Sequence, residues 1–272
     1  MSDPALDGIA RRVLWLAVRM VDHANRERPN PDGLKVGGHQ ASSASLVSVM
    51  TALWFAHLDA ADRVSVKPHA SPVLHAIQYL LGNLDESYLL RLRDFGGLQA
   101  YPSRTKDPDP VDFSTGSVGL GAVAPLFAAA SHRFVDDHFG PRPHSRFISI
   151  IGDAELDEGN IWEAVADPAT TGLGNVMWVV DFNRQSLDRV IPGVRIHQWR
   201  SQFEAAGWDV VEVKYGRRLL DAFAQPGGEA LRKWIDSMPN EQYQSVFGMG
   251  AADARGRFLE GAPSAVVEFL AP

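Results

Sequence analysis

Cysteine is missing altogether from the 272 residues, which excludes disulfides, iron–sulfur ligation and a thiol nucleophile and fits a cytoplasmic protein. Positive charge is in short supply: 26 Lys and Arg stand against 33 Asp and Glu, a net charge of −7. That balance argues against binding nucleic acid or an anionic membrane surface. No long apolar run is present. The opening MSDPALDGIARRVLWLAVRM carries two arginines ahead of its apolar stretch, so neither a secretory signal nor a membrane span is expected. There are no repeats, no low-complexity linker and no Walker-type lysine motif of other phosphate-handling enzymes. With 45% hydrophobic residues the chain has enough apolar surface for a substantial core.

What is present centres on Phe147 to Leu187, FISIIGDAELDEGNIWEAVADPATTGLGNVMWVVDFNRQSL. Two short Ile/Val-rich runs, each bounded by turn residues, predict buried strands ending at Gly152-Asp153 and at Asp181-Phe182-Asn183. Between them Asp157 to Ala166 keeps helical spacing, with Ile161, Trp162 and Val165 on one face. Strand, helix and strand make a parallel unit with a right-handed crossover, so both strands end at the sheet edge where open α/β folds bind ligands. Asp153 and Asn183 are expected there together. Carboxylate and amide oxygens suit Mg²⁺ or Ca²⁺ and leave places for phosphate. A helix starting after Asp153 would turn its free N–H groups and positive dipole end toward the same point. Taken singly, Asp153 is better explained as a helix cap and Asn183 as a turn former; their pairing favours a ligand site.

Ahead of this centre, residues 7–26 place Ile9, Val13, Leu16, Ala17 and Met20 at helical intervals, and Leu46 to His57 repeats the spacing. His39 follows two glycines and precedes that second helix, while His57 falls in its apolar stripe as a core or capping residue. Asp62 to Val66 predicts a strand; His69 follows it and opens a further helix. His39, His69 and Asp153 thus occupy equivalent helix entrances, whereas His75 lies inside a helix and carries no such argument. GGLQAYPSRTKDPDPVDFSTGSVGLG is polar and proline-rich, a long loop over the site. In it Gly119 and Gly121 allow close approach of a flat ring, a phosphate or a packed helix. Pro125 must lie in the first turn of the next helix or kink it. Beyond Gln185 the pattern predicts a helix over 198–206, a strand over Trp208–Val213, helical structure over 218–248 and a strand over Ser264–Leu270. The chain stops two residues past that last strand, and a further part is expected to complete it.

GDAELDEGNIWEA followed by DFNRQSL resembles the thiamine diphosphate motif, a GDG with an Asn further on. From residue 7 to the end the chain is similar to the diphosphate-binding domain of transketolase-type enzymes. Within that group it most resembles the decarboxylating component of homodimeric pyruvate dehydrogenase: GGHQAS, HASPVL, SVGLG, FNRQSLD, AGWDVVEV and EQYQSVFG fall in family order. The resemblance implies a doubly wound parallel α/β sheet with helices on both faces, filling 1–272 as one diphosphate-binding domain. It implies thiamine diphosphate and Mg²⁺ as cofactors, the metal held by Asp153, the Asn183 side chain and the main-chain carbonyl of Gln185. Gly152, Asp153, Ala154 and Glu155 would form the cofactor-binding turn, with Ala154 where the family has Gly. His39 and His69 would face cofactor or substrate. Gly116, Val118 and Gly119 would lie by the aminopyrimidine, with Val118 keeping the cofactor bent. Glu158 and Glu163 match acidic residues that link active sites across the transketolase dimer, and Glu158 would join His39 and His69 as a catalytic residue; a solvated helix face is the alternative, stronger for Glu163 than for Glu158.

Two departures qualify this. Ser103 stands in YPSRTK where the family has a substrate-binding histidine, and Arg104 and Lys106 are offered instead. No pyrimidine-binding or C-terminal domain is present, and the former supplies the glutamate that activates the cofactor. The expected function is therefore the diphosphate half of an enzyme performing pyruvate dehydrogenase-like decarboxylation of a 2-oxo acid. It would act only when joined by a pyrimidine-binding domain or subunit, as a homo-oligomer on a small keto substrate. Transketolase-type two-carbon transfer and a non-catalytic regulatory or assembly subunit are the alternatives.

Overall fold

Asp3 accepts a hydrogen bond from the Ala5 N–H at 2.9 Å and Pro4 takes the first helical position, so α1 (Pro4–Asp22) starts where its sequence caps it. Its buried stripe of Val13, Leu16, Ala17, Met20 and Val21 follows the expected spacing, and a π-helical turn, His23–Glu27, continues it. The second expected helix is broken into α2 (Gln40–Ala44), α3 (Val47–Ala52) and a π-turn, Leu53–His57. At the break the Leu46 N–H bonds to the Ser43 carbonyl at 3.1 Å, a tighter i,i+3 turn in place of the helical bond to Ser42. This computed structural model describes residues 3–31, 33, 36–116, 118–182, 185–186, 189–190, 196–246 and 249–271. They fall into two units, Met1–Phe182 and Asn183–Pro272.

The first unit is built on β1 (Arg63–Val66), α4 (Ser71–Leu80), α5 (Leu120–Phe139), β2 (Phe147–Gly152), α6 (Gly159–Ala166) and β3 (Val176–Asp181). The strands pair in parallel in the order β1-β2-β3, with Val66 opposite Ile150 and Gly152 opposite Asp181. Alternation along the strands serves two faces. Val64, Val66, Ile148 and Ile150 join α1, α3 and α4 in one apolar cluster. Ser65 and Ser149 turn to α5, where the Ser149 hydroxyl donates to the Ala122 carbonyl at 3.1 Å. Small residues let α5 lie close, since a Cβ on Gly121 would sit 3.0 Å from Ser65 Oγ. The chain is thus an α/β protein with a parallel sheet and helices on both faces. At the opening edge of the sheet Arg146 binds Asp62 through Nε at 3.0 Å and its own N–H at 2.8 Å. Burial opposes ionisation of Asp62, yet these bonds hold its pKa down at about 2. Pro125 falls in the second turn of α5, not the first.

The second unit has a two-stranded antiparallel ladder, β4 (Gln185–Ser186) with β5 (Arg189–Val190). Among the described residues six helices follow: α7 (Ile196–Ala205), α8 (Arg217–Phe223), α9 (Gly228–Ser237), α10 (Asn240–Val246), α11 (Ala251–Leu259) and α12 (Ser264–Phe269). Two expected strands are not formed. Trp208–Val213 has no ladder partner among the described residues, and Val211 and Val213 are exposed. Ser264–Leu270 is helical: Val266, Phe269 and Leu270 share one face against Leu231 and Ile235, a spacing that prevails over the strand preference of Val266-Val267. Among the described residues no helix is long and apolar enough to cross a membrane.

Gly121→Val should destabilise the chain by about 1–3 kcal/mol by forcing α5 off the sheet. Gly159→Ala, in open space at the start of α6, should be neutral or stabilising by up to ~1 kcal/mol. Urea unfolding of the two variants beside the wild type checks both.

Candidate functional site

Parallel pairing makes all three strands of the first unit end at one edge. Lys67 follows β1, Asp153 follows β2, and Asp181 closes β3. The Lys67 side chain crosses the end of β2 at Gly152, where its Cδ passes 3.9 Å from the place a Cβ would take. Its ammonium reaches Asp181 Oδ2 at 2.6 Å, with the lysine side chain 6% and the aspartate 14% exposed. The Ser45 hydroxyl donates to the same oxygen, also at 2.6 Å. One ion pair therefore ties β1, β3 and the α2–α3 junction together.

Asp153 is wholly buried. It begins a 3₁₀ turn, Asp153–Asp157, and α6 starts only at Gly159, after an extended Glu158. The helix expected over Asp157–Ala166 is present as α6, but it begins six residues past Asp153, so its dipole end does not adjoin that residue. The Ala154 N–H, 3.1 Å from Asp153 Oδ1, is engaged as well. Glu155 accepts the Gly152 N–H at 3.0 Å and the Gly119 N–H at 3.1 Å. Burial pushes its carboxyl pKa up, against the pull of those two bonds. Glu155 thus fastens the loop before α5 to the end of β2. Gly119 is in the left-handed region at φ 83°, and a Cβ there would lie 2.7 Å from Asn160 Oδ1. Glycine is demanded at 119 by a protein neighbour, and its N–H is already bonded within the protein. In the same loop Gly116 is exposed and Val118 half-buried; the Thr115 hydroxyl is buried without a hydrogen-bond partner.

The rings of His39 and His69 meet edge to face with centroids 4.3 Å apart, and the Tyr101 ring lies 6.0 Å from His69. The Ser43 hydroxyl donates to the His69 carbonyl at 3.1 Å, joining the two histidine segments. His69 Nδ1 is buried and has no hydrogen-bond partner. Burial first, then the positive neighbours His39, Arg93 and Lys67, push its pKa down to about 4, so the ring is neutral at pH 7. Arg93, held at φ 58°, packs its guanidinium against Gly37 in the turn ahead of His39 and donates to the Val36 carbonyl at 2.6 Å.

His75 carries no sequence signal of its own, yet the fold gives it a role. It is wholly buried, with Nδ1 2.8 Å from Asp109 Oδ2 and Nε2 3.1 Å from the Gln99 carbonyl. Asp107 accepts the N–H groups of Gln99 and Ser103, each at 2.7 Å. Burial alone would lower the His75 pKa, but the Asp109 bond and both carboxylates outweigh it and raise it. Three potential metal donors lie within 4.8 Å of one another here, yet the contacting atoms already bond to each other or to backbone. The cluster is a staple holding the 99–112 loop, and with it Tyr101, onto α4. Its members are a histidine and two aspartates more than thirty residues apart, a separation that no periodicity links.

Residues 35–251 match the family described as transketolase, thiamine diphosphate binding domain. The chain belongs to that family. It is 30% identical to the pyruvate dehydrogenase E1 component of Mycolicibacterium smegmatis over 274 aligned positions, covering 94% of this chain and 29% of the relative. The E1 component from Pseudomonas aeruginosa is likewise 30% identical, with 92% of this chain and 29% of the relative covered. The chain thus spans about 29% of the length of these relatives. Transketolase from Leishmania mexicana shares the fold with a TM-score of 0.63 at 22% identity, over 79% of this chain and 32% of that one. Transketolase from Campylobacter jejuni gives 0.62 at 24%, over 76% and 33%.

Within this thiamine diphosphate-binding domain the expected residues divide. Asp153, His39 and His69 lie in the first unit, two of them at strand ends and the two histidines in ring contact. Asn183 lies outside the described residues, and Gln185 opens β4 of the second unit. Glu158 and Glu163 are exposed, and half-buried Trp162 donates to the Leu156 carbonyl at 2.8 Å. Lys67 and Asp181 were missed, although each stands two residues ahead of an expected ligand.

Because the folded His69 pKa, about 4, lies below the ordinary 6.5, the unfolded chain protonates first on acidification. This residue should cost stability progressively from pH 6.5 to about 4 and nothing above that window. His69→Gln should flatten that part of a stability–pH curve; identical slopes would rule out a neutral, buried His69. His75→Ala leaves the buried Asp109 carboxylate without its imidazole partner and should cost about 1–3 kcal/mol, read from urea unfolding at pH 7.

Proposed function

We propose that this domain holds the diphosphate of thiamine diphosphate, with Mg²⁺, at the carboxyl edge of its sheet. It would do so as one part of an enzyme that cleaves the bond beside the ketone of a 2-oxo acid. The observation that carries the reading is a fully buried carboxylate, Asp153, at the end of the central strand, next to strand ends bearing a buried ammonium and an imidazole nitrogen without a partner. A hard oxygen ligand for the metal beside nitrogen groups for phosphate is the donor set that a metal–diphosphate needs. The residues present fit the group.

In this reading Asp153 is the metal-binding carboxylate. The other metal ligands, Asn183 and Gln185, and the cofactor-facing Gly152 and Ala154, are carried by the motif alone. Neutral His69 presents Nδ1 to cofactor or substrate without adding charge, and His39 packs against it to fix its ring. Gly116 and Val118 border the ring end of the cofactor. Glu155 and Gly119 hold the loop in place through their mutual hydrogen bond. Bound thiamine diphosphate supplies a nucleophilic carbon and an electron sink next to the substrate carbonyl; the protein binds, orients and excludes water. Choice of a 2-oxo acid rests on the E1 relatives, and a pyrimidine-binding domain or subunit is the partner that completes the site. The exposed Arg104 and Lys106 in the loop above the edge serve substrate selection. Glu158 and Glu163, exposed on the α6 side, are available for contact between copies in a homo-oligomer.

Calorimetric titration of thiamine diphosphate with and without Mg²⁺ tests the proposal. The chain alone should bind at roughly millimolar strength, since half a site must still offset the loss of translational freedom. Asp153→Ala should abolish the Mg²⁺-dependent part while circular dichroism is retained. Unchanged affinity in that variant would sink the assignment.

A further inference from the structure

We infer that Lys67 is itself a phosphate ligand of this edge, an ammonium kept on Asp181 and transferred to a phosphate oxygen when a diphosphate binds; this rests on the diphosphate reading above. Four observations carry it. Lys67 is the first residue after β1, and its side chain lies over the glycine that begins the Gly152-Asp153 turn. A methyl group at 152 would touch that path at 3.9 Å, an ordinary contact distance. Second, Lys67 is a lysine among the buried residues, 5% exposed, and Asp181 is its one hydrogen-bond acceptor among the described residues. An ammonium has three N–H donors, and burying it with two unfilled is unfavourable unless a ligand supplies acceptors.

Third, Asp181 does not depend on Lys67 alone. The Ser45 hydroxyl donates to the same carboxylate oxygen, so Asp181 keeps a partner when the ammonium moves. Fourth, the ammonium is within electrostatic reach of both Glu155, on the turn after β2, and His69. It therefore stands among the residues of the anion site, where His69 contributes no charge at pH 7. A compact point charge on a flexible stem suits a phosphate oxygen. No bond is made or broken in this exchange; one ion pair is traded for another.

The test depends on the sign of two substitutions. Inorganic diphosphate with Mg²⁺, and thiamine diphosphate with Mg²⁺, are titrated into the 272-residue chain by calorimetry, with circular dichroism monitoring the fold. Lys67→Met should weaken both probes by about tenfold or more, and Lys67→Arg should recover part of the loss. Asp181→Asn releases the ammonium from its competitor and should leave binding unchanged or tighter. If Lys67→Met does not fold, the double variant Lys67→Met/Asp181→Asn removes the unpaired carboxylate and is read in its place. A purely structural ion pair would make both single variants lose binding alike. That outcome, or wild-type affinity in Lys67→Met while Asp153→Ala has lost it, overturns the role of Lys67 and leaves the diphosphate reading standing. If the wild type takes up neither probe, or Asp153→Ala binds as the wild type does, the diphosphate reading itself fails and the inference with it.

Discussion

The site in the first unit depends on one constraint, the parallel pairing of β2 between β1 and β3, because strands running in one direction must bring their succeeding turns to one edge. The register sets Gly152 opposite Asp181, so the turn after β2 lies level with the last carboxylate of β3. From β1 the chain sends Lys67 across that turn. The result is a charged edge where Lys67 pairs with Asp181 and acts electrostatically on buried Glu155 and on neutral His69, with buried Asp153 at the end of β2. Such an edge is costly to fold, since each buried charge needs a partner. Its partners are drawn from the edge itself.

Several of these residues hold others and do not face the open side. Glu155 uses both oxygens on backbone N–H groups, joining the end of β2 to the loop ahead of α5. His75 and its two aspartates pin the 99–112 loop, which carries Tyr101 toward His69. Ser43 and Ser45 bind the broken helix to the ends of β1 and β3. A frame of this kind keeps the histidine pair and Asp153 in fixed relation before any ligand arrives, and preorganisation of that sort strengthens electrostatic binding.

The family match and the geometry bear on different questions. Membership in the thiamine diphosphate-binding domain of transketolases identifies the cofactor class, and the chain spans about 29% of the length of the E1 relatives it matches. The geometry adds what a family match does not carry, namely which side chains stand together at the strand ends, Lys67 with Asp181 among them.

The strands β1, β2 and β3, the stripe on α1 and the places of His69 and Asp153 after their strands were legible in the sequence. Each depends on local pattern: β-branched runs bounded by turns, helical spacing, a polar residue after a strand. Family motifs added the cofactor. The break between α2 and α3 was hidden because no proline or glycine marks it. Helix α12 was misread because two adjacent valines favour a strand until Leu231 and Ile235 present a partner for a helical face. Lys67–Asp181 and His75–Asp109 could come only from the tertiary structure. Their members are separated by 114 and 34 residues, and a charge pair between distant segments leaves no periodic trace in a chain. The sequence determined which groups exist and which edge they reach; packing decided which of them are paired.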